Sequence, residues 1–507
     1  MYNVEQHEFF DRVIITPKNM PSCIEFKKNG NKCFVERDYH NALINYNKAL
    51  CWAENRSEVA GLLYGNRSAV ALEMKSYPEC LKNIQLAREH NLPQQSLSRL
   101  IKREEMCKEM MSTTVSLEDE HDGLVNLMFG SNPIEPSMID CLKIEHNKNG
   151  TPCLITTKDL KTGDLIAVQK PFSGIIMDNY SYIICLNCLN ECVLDLIPCY
   201  GCSSVMFCSK NCAELAFEVH QYECEIIGFL KYKFGSDELI HLSKCRALFK
   251  ALSLFNGSAN EMKKYLEGKE EASGKLTLNV YDICKNEKAF FKAVYNIEDS
   301  SDVELLEDFL SFFPKMRQIM SDPEMRNFII SFTSKMNKTL VKGEKFEKGE
   351  FGGYYPMQTV LNISCAPNVI SSGLKDSRIV YIAQNPIKAG EKLTIGTENI
   401  LTYSVKSKLD RQREIFYNFQ LKCDCVARVK NYPMLSQQKF TSQSLVNDAS
   451  FRRIRAKHVN GIIAVKMYKE NCEYIDEHFD ESPCKEITLT VFTNSQLLRR
   501  TNLFKKN

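Results

Sequence analysis

The 507-residue chain has no surplus of either charge: 65 basic and 63 acidic residues leave a formal +2 at pH 7. No global field draws it toward nucleic acid or anionic lipid, so any such contact has to be local. It has no run of 18 or more apolar residues, which argues against a membrane-spanning helix. The first segment, MYNVEQHEFFDRVIITPKNM, carries charges throughout and lacks the apolar core of a secretory signal, so cytoplasm or nucleus is the expected location. Hydrophobic residues are not scarce: 44% are hydrophobic and 25% charged, which excludes wholesale disorder and a collagen-like chain. A chain this long is expected to fold as two to four domains, each with its own core.

Cysteine is abundant, with 22 residues. In a secreted protein that number implies disulfides; in a reducing compartment it implies free thiols or metal ligands. Residues 185–224 hold eight of the 22, arranged as Cys185-x2-Cys188, Cys199-x2-Cys202, Cys208-x3-Cys212 and His220-x3-Cys224, with Cys192 outside the pairs. Zinc takes four thiolate or imidazole ligands tetrahedrally, and pairs two or three residues apart offer two donors to one ion without straining the chain. Four such pairs predict two structural zinc ions.

The rest of the chain divides by composition, and the expected class is a multidomain α+β protein. After an N-terminal extension (1–22), residues 23–111 echo themselves at an offset of 38. Phe26 falls on Tyr64, Tyr39 on Tyr77, Leu43 on Leu81, Tyr46 on Ile84 and Ala49 on Ala87. Small and aromatic residues recurring in this way suit paired antiparallel helices. Residues 112–140 are rich in turn-formers and acidic residues and read as a linker. A β-prone part (141–184) precedes the cysteine cluster. A helical stretch (225–340) follows it, and β-prone runs resume over 341–428. In the last part (429–507), of unassigned role, FRRIRAKHVNGIIAVKMYKENCEYI reads as helix and KEITLTVF as strand.

Several of these motifs carry family resemblances. The N-terminal echo resembles tetratricopeptide repeats, two of them with a partial third or cap after Pro93. The cluster ending in MFCSKNCAELAFEVHQYEC closely resembles a MYND finger. That resemblance implies interleaved ligands, with Cys185, Cys188, Cys208 and Cys212 on one zinc and Cys199, Cys202, His220 and Cys224 on the other. It also implies a module that takes proline-containing peptides; the segment has few basic residues, so peptide is favoured over nucleic acid. A MYND finger inserted in a β domain, with LNISCAPN after the insertion and CDC near 423, is similar to the SET domain of the SMYD family. The repeats point to its tetratricopeptide-bearing type. The family transfers a methyl group from S-adenosylmethionine to a protein lysine. The reaction is an SN2 displacement that needs a deprotonated amine, a narrow channel and groups that hold the cofactor.

Carried over position by position, the resemblance implies that Asn149, Gly150, Asn362, Ile363 and Leu421 lie around the cofactor, and that Thr397 and Tyr403 stand nearest the catalytic tyrosine's place. The sequence departs from the family at Ile363 (histidine in the family), at Gly396-Thr397 (serine-tyrosine), at Thr151-Pro152-Cys153 (a glycine-containing turn) and at Leu421 (an aromatic). Cys365, Cys423 and Cys425 match three ligands of the family's further zinc site. The fourth falls on Arg428, which cannot ligate zinc. Water, Cys472 or Cys484 would complete that site, or the metal is absent. Lys27, Asn31, Asn66, Arg99 and Arg103 match the clamp by which tetratricopeptide domains hold acidic heat-shock chaperone tails; a solvated basic face is the alternative. Two functions follow: an S-adenosylmethionine-dependent protein-lysine methyltransferase with a role in transcription regulation, or a catalytically impaired adaptor working through its repeats and finger.

Overall fold

The computed structural model describes residues 18–113, 130–146, 152–176, 180–233, 239–268, 279–296, 303–336, 340–342, 351–374, 377–396, 402–419, 422–440 and 461–500. The N-terminal part is five helices: Met20–Val35, Tyr39–Trp52, Glu58–Glu73, Tyr77–Glu89 and Gln94–Thr113. The first four form two hairpins whose equivalent helices begin 38 residues apart, at Met20 and Glu58 and at Tyr39 and Tyr77. The echo extends to the turns. Arg37 and Lys75, again 38 apart, both adopt φ 60, and both are followed by the cap residue of the next helix, Asp38 or Ser76. Small residues explain the close approach: a Cβ on Gly30 would come within 2.6 Å of the buried Tyr46 ring.

The strands follow. The hairpin β1 (Leu142–His146) and β2 (Pro152–Thr156) stands beside a five-stranded sheet made of β3 (Leu165–Gln169), β9 (Asn362–Ile363), β10 (Val369–Gly373), β11 (Ile379–Ala383) and β12 (Thr394–Ile395). Its order is β3-β11-β10-β12-β9, with β12 parallel to both β10 and β9 and the other pairs antiparallel. A second sheet joins β4 (Ser173–Ile176) to β8 (Phe351–Tyr354), which also pairs with β7 (Leu340–Lys342). Every residue of β11 is buried. Its alternation sends Ile379, Tyr381 and Ala383 into the main core, while Val380 and Ile382 meet a second cluster on the other face. Between Phe207 and Leu340 the regular elements among the described residues are helices, and in their core Tyr222 stacks on Phe249, which meets Phe313 edge-on.

The C-terminal part differs from expectation. KEITLTVF is not a strand but the first half of the helix Lys485–Arg500, paired with the helix Gly461–His478. Tertiary burial overrides β-propensity: Ile487 and Val491, four residues apart, enter one apolar cluster, while Leu497 and Leu498 enter the other. With Ala464, Met467 and Tyr468 they cover the outer face of the five-stranded sheet at Leu165, Ile370, Val380 and Ile382.

Candidate metal centres and cofactor site

The cysteine-rich segment is built on the short hairpin β5 (Ile197–Pro198) and β6 (Met206–Phe207) and on the helix Lys210–His220. Ser209 caps that helix by accepting from Cys212 N at 3.1 Å, which fixes Cys212 on the first turn and leaves His220 on the last. Two tetrads converge, with ligand atoms within 4.8 Å of one another: Cys185, Cys188, Cys208 and Cys212, and Cys199, Cys202, His220 and Cys224. The Cys188 and Cys208 sulfurs are 3.7 Å apart, Cys208 and Cys212 3.4 Å, and Cys199 and Cys224 3.7 Å. His220 Nε2 stands 3.4 Å from Cys199 and 3.6 Å from Cys202. A tetrahedron of thiolates about 2.3 Å from zinc has edges of about 3.8 Å, so both tetrads fit zinc in the interleaved pairing. Cys192 stays outside, bonded to Asn190 O.

A buried outer shell completes the second tetrad. His220 Nδ1 lies 3.1 Å from Glu223 Oε1, the same oxygen accepts from Arg246, and Arg246 Nε donates to Gly174 O in β4 at 2.8 Å. Glu223 fixes the imidazole so that Nε2 faces the thiolates. Burial pushes the Glu223 carboxyl up, but Arg246 and His220 outweigh it and hold the group below the ordinary carboxylate range. His220 sits three residues before Glu223, one helical step, so the partner was within reach of the sequence; Arg246 was not.

The helical repeats grip the finger. Asn47 Nδ2 donates to Tyr182 O at 2.8 Å and Val193 O at 2.9 Å. Arg67 donates to Leu196 O at 2.5 Å and also to Leu194 O. Asn83 Nδ2 reaches Leu194 O at 2.9 Å, and Lys82 pairs with Asp195 at 2.7 Å. Three fully buried polar side chains, one from each of three successive helices, thus read the backbone of the segment that joins the first and second ligand pairs. No spacing rule marked them.

The clamp residues occupy other positions. Asn31 Oδ1 accepts from Asn66 Nδ2 at 3.0 Å and from Tyr46 at 2.9 Å. Arg103 donates to Gly65 O at 2.9 Å and Ser68 Oγ at 2.7 Å, Arg99 is exposed and Lys27 is half-buried. None of these five is among the residues that grip the finger.

The third cysteine group also forms. Cys365, Cys423 and Cys425 converge, with the Cys365 and Cys425 sulfurs 3.0 Å apart. Arg428 turns its guanidinium back to Cys423 O. Cys484 packs in the same apolar cluster without joining the three, and Cys472 lies in the other cluster, accepting from Asn494 at 3.5 Å.

Asn362 and Ile363 form β9, paired in parallel with Thr394 and Ile395. Asn368 holds the same segment: its Nδ2 donates to Lys392 O at 2.8 Å and its Oδ1 accepts from Thr394 N at 2.7 Å. Asn362 Oδ1 is buried and, among the described residues, has no hydrogen-bond partner, so it is able to accept from a ligand. S-adenosylmethionine carries an ammonium and an amino group and so fits that oxygen. Asn149, Gly150, Thr397 and Leu421 lie outside the described residues; Tyr403 is in the short helix Thr402–Val405.

These features define the class: a two-zinc MYND finger set into a mixed helix and sheet protein. The MYND-finger family model matches residues 185–224. The Homo sapiens protein-lysine N-methyltransferase SMYD4 is 23% identical over 282 residues, 42% of this chain and 35% of that protein. The Mus musculus histone-lysine N-methyltransferase SMYD3 is 24% identical over 301 residues, 57% of this chain and 62% of that protein. A SET and MYND domain-containing protein of Dictyostelium discoideum is 23% identical over 315 residues, 54% and 56% of the two chains. The finger match and these relatives support a likeness to the SMYD family over part of the chain. The match spans about a third of the length of the SMYD4 relatives. Among the described residues, no helix is long and apolar enough to cross a membrane.

Proposed function

We propose that the chain is a SET/MYND-type protein-lysine N-methyltransferase. The observation that carries this is the unpartnered, buried Asn362 Oδ1 in β9, at the position where the family's cofactor-contacting asparagine falls. S-adenosylmethionine, when bound, supplies the sulfonium methyl. Asn362 and Ile363 would help to hold it, and the resemblance assigns Asn149, Gly150 and Leu421 to the same task. The lysine channel falls to the neighbourhood of Thr397 and Tyr403, with the amine losing its proton before attack. Labelled methyl transfer to lysine in histone and non-histone proteins tests the proposal: wild type transfers label and N362A loses at least ten-fold. No transfer by folded wild type to any acceptor contradicts it.

A second reading, the adaptor, has its own support. Tyr200, Leu215 and Phe217 of the finger are each more than half exposed and would dock a proline-containing peptide. The Asn31, Asn66 and Arg103 group would take an acidic chaperone tail. Binding of such peptides by N362A as well as by wild type would favour it.

A further inference from the structure

Ser377 stands in the turn that joins β10 to β11, 1% exposed and with φ 61. That backbone suits glycine and is unfavourable for a residue with a Cβ, so a serine there points to a task for its hydroxyl. Its Oγ donates to Cys188 O at 3.0 Å, and its own carbonyl accepts from Tyr355 Oη at 2.6 Å. Cys188 is a ligand of the first tetrad, and Tyr355 is fully buried. One residue of the sheet's turn thus joins a zinc knuckle to the residue that directly follows β8.

Tyr355 is also the N-cap of the 3-10 helix Pro356–Thr359, which leads into β9 and Asn362. Gln169 Oε1 ties that helix to β3 by accepting from Met357 N at 3.1 Å. A second route runs from the turn along β10, which pairs with β12, which pairs with β9. β9 is only two residues long, too short to fix its own place by pairing, so what precedes it sets its position. We propose that the first zinc knuckle positions β9, with Ser377 and Tyr355 as the positioning residues. Zinc fixes Cys188 O, Ser377 passes that place to Tyr355, and Tyr355 sets where the 3-10 helix and Asn362 stand. For its consequence on the cofactor this rests on the methyltransferase reading: S-adenosylmethionine and the first zinc then tighten each other's binding by the same factor.

Two variants of the full chain remove the link without touching Asn362 or a zinc ligand. S377G deletes the hydroxyl and suits φ 61, so it should melt close to wild type; Y355F deletes the other hydrogen bond. Without ligand, amide exchange over 357–363 should quicken about five-fold in both, with the finger's zinc retained. Unchanged exchange in S377G overturns the proposal, whether or not the chain binds S-adenosylmethionine. With ligand, both variants should bind S-adenosylmethionine about five-fold more weakly than wild type. Saturating ligand should slow chelator removal of one finger zinc in wild type and not in S377G. A general loss of packing would lower the melting temperature of S377G and leave that difference in zinc protection unmoved. S377G at wild-type affinity also overturns the proposal. A wild type that binds no S-adenosylmethionine contradicts the methyltransferase reading instead, and the exchange result then decides. Where Y355F does not fold, S377G alone decides.

Discussion

The finger and the group around Cys365 are both cysteine centres, and they differ in how their charges are settled. In the finger, eight ligands come from 40 consecutive residues, and the one buried carboxylate beside them, Glu223, is paired to His220 and Arg246. Around Cys365, three cysteines come from segments 58 residues apart, and among the described residues the buried Arg411 guanidinium has no hydrogen-bond partner. A complete local ligand set carries its own fold and its own charge balance. A set assembled across the chain depends on whatever the packing brings beside it, which here includes the buried Arg411.

Losing a ligand of the complete centre gives the largest effect expected. C199S should release the second zinc and unfold the finger, since binding energies of about 10 kcal/mol or more per structural zinc are folding energy. Metal analysis and loss of a cooperative melt would register it; wild-type zinc content in C199S would refute the two-zinc assignment.

Next comes the outer shell. E223Q leaves Arg246 buried without its counter-charge and should cost about 3–5 kcal/mol in denaturant unfolding, while R246M leaves Glu223 in the same position. Either variant at wild-type stability would make this pair incidental. The contribution also has a pH signature. Glu223 is held below its unfolded value of about 4.3, so its stabilisation is full above that pH and drains away as pH falls through the depressed value. The gap between wild type and E223Q in denaturant midpoint should therefore narrow on acidification below about pH 4.3; a constant gap would contradict the assignment.

The grip of the repeats on the finger is smaller. N83A removes one buried hydrogen bond and strands Leu194 O on one side, for about 1–3 kcal/mol. Hydrogen exchange should show the backbone of 193–196 opening more readily in N83A, with both finger zinc ions retained. Unchanged exchange there would mean that the repeats merely lie against the finger.

The same contrast explains what was legible in the sequence. The finger could be read because its ligands recur two or three residues apart, and the repeats because Tyr46, Ala49, Ile84 and Ala87 recur at a fixed offset that survives even in the turns at Arg37 and Lys75. KEITLTVF misled because its β-branched residues serve a helix whose Ile487 and Val491 are held by tertiary burial. Asn47, Arg67, Asn83 and Arg246 left no trace, because nothing local to them shows that a backbone carbonyl or a carboxylate from another domain lies opposite. Asn362 was found through family resemblance; its missing partner is visible in the structure alone.

The account's central claim is that this missing partner is the methyl donor. Calorimetric titration of zinc-loaded protein with S-adenosylmethionine tests it most directly. Binding in the micromolar range, about 8 kcal/mol, that weakens at least ten-fold in N362A is the predicted result. No heat at millimolar ligand, from wild-type protein with its finger zinc in place, would contradict it.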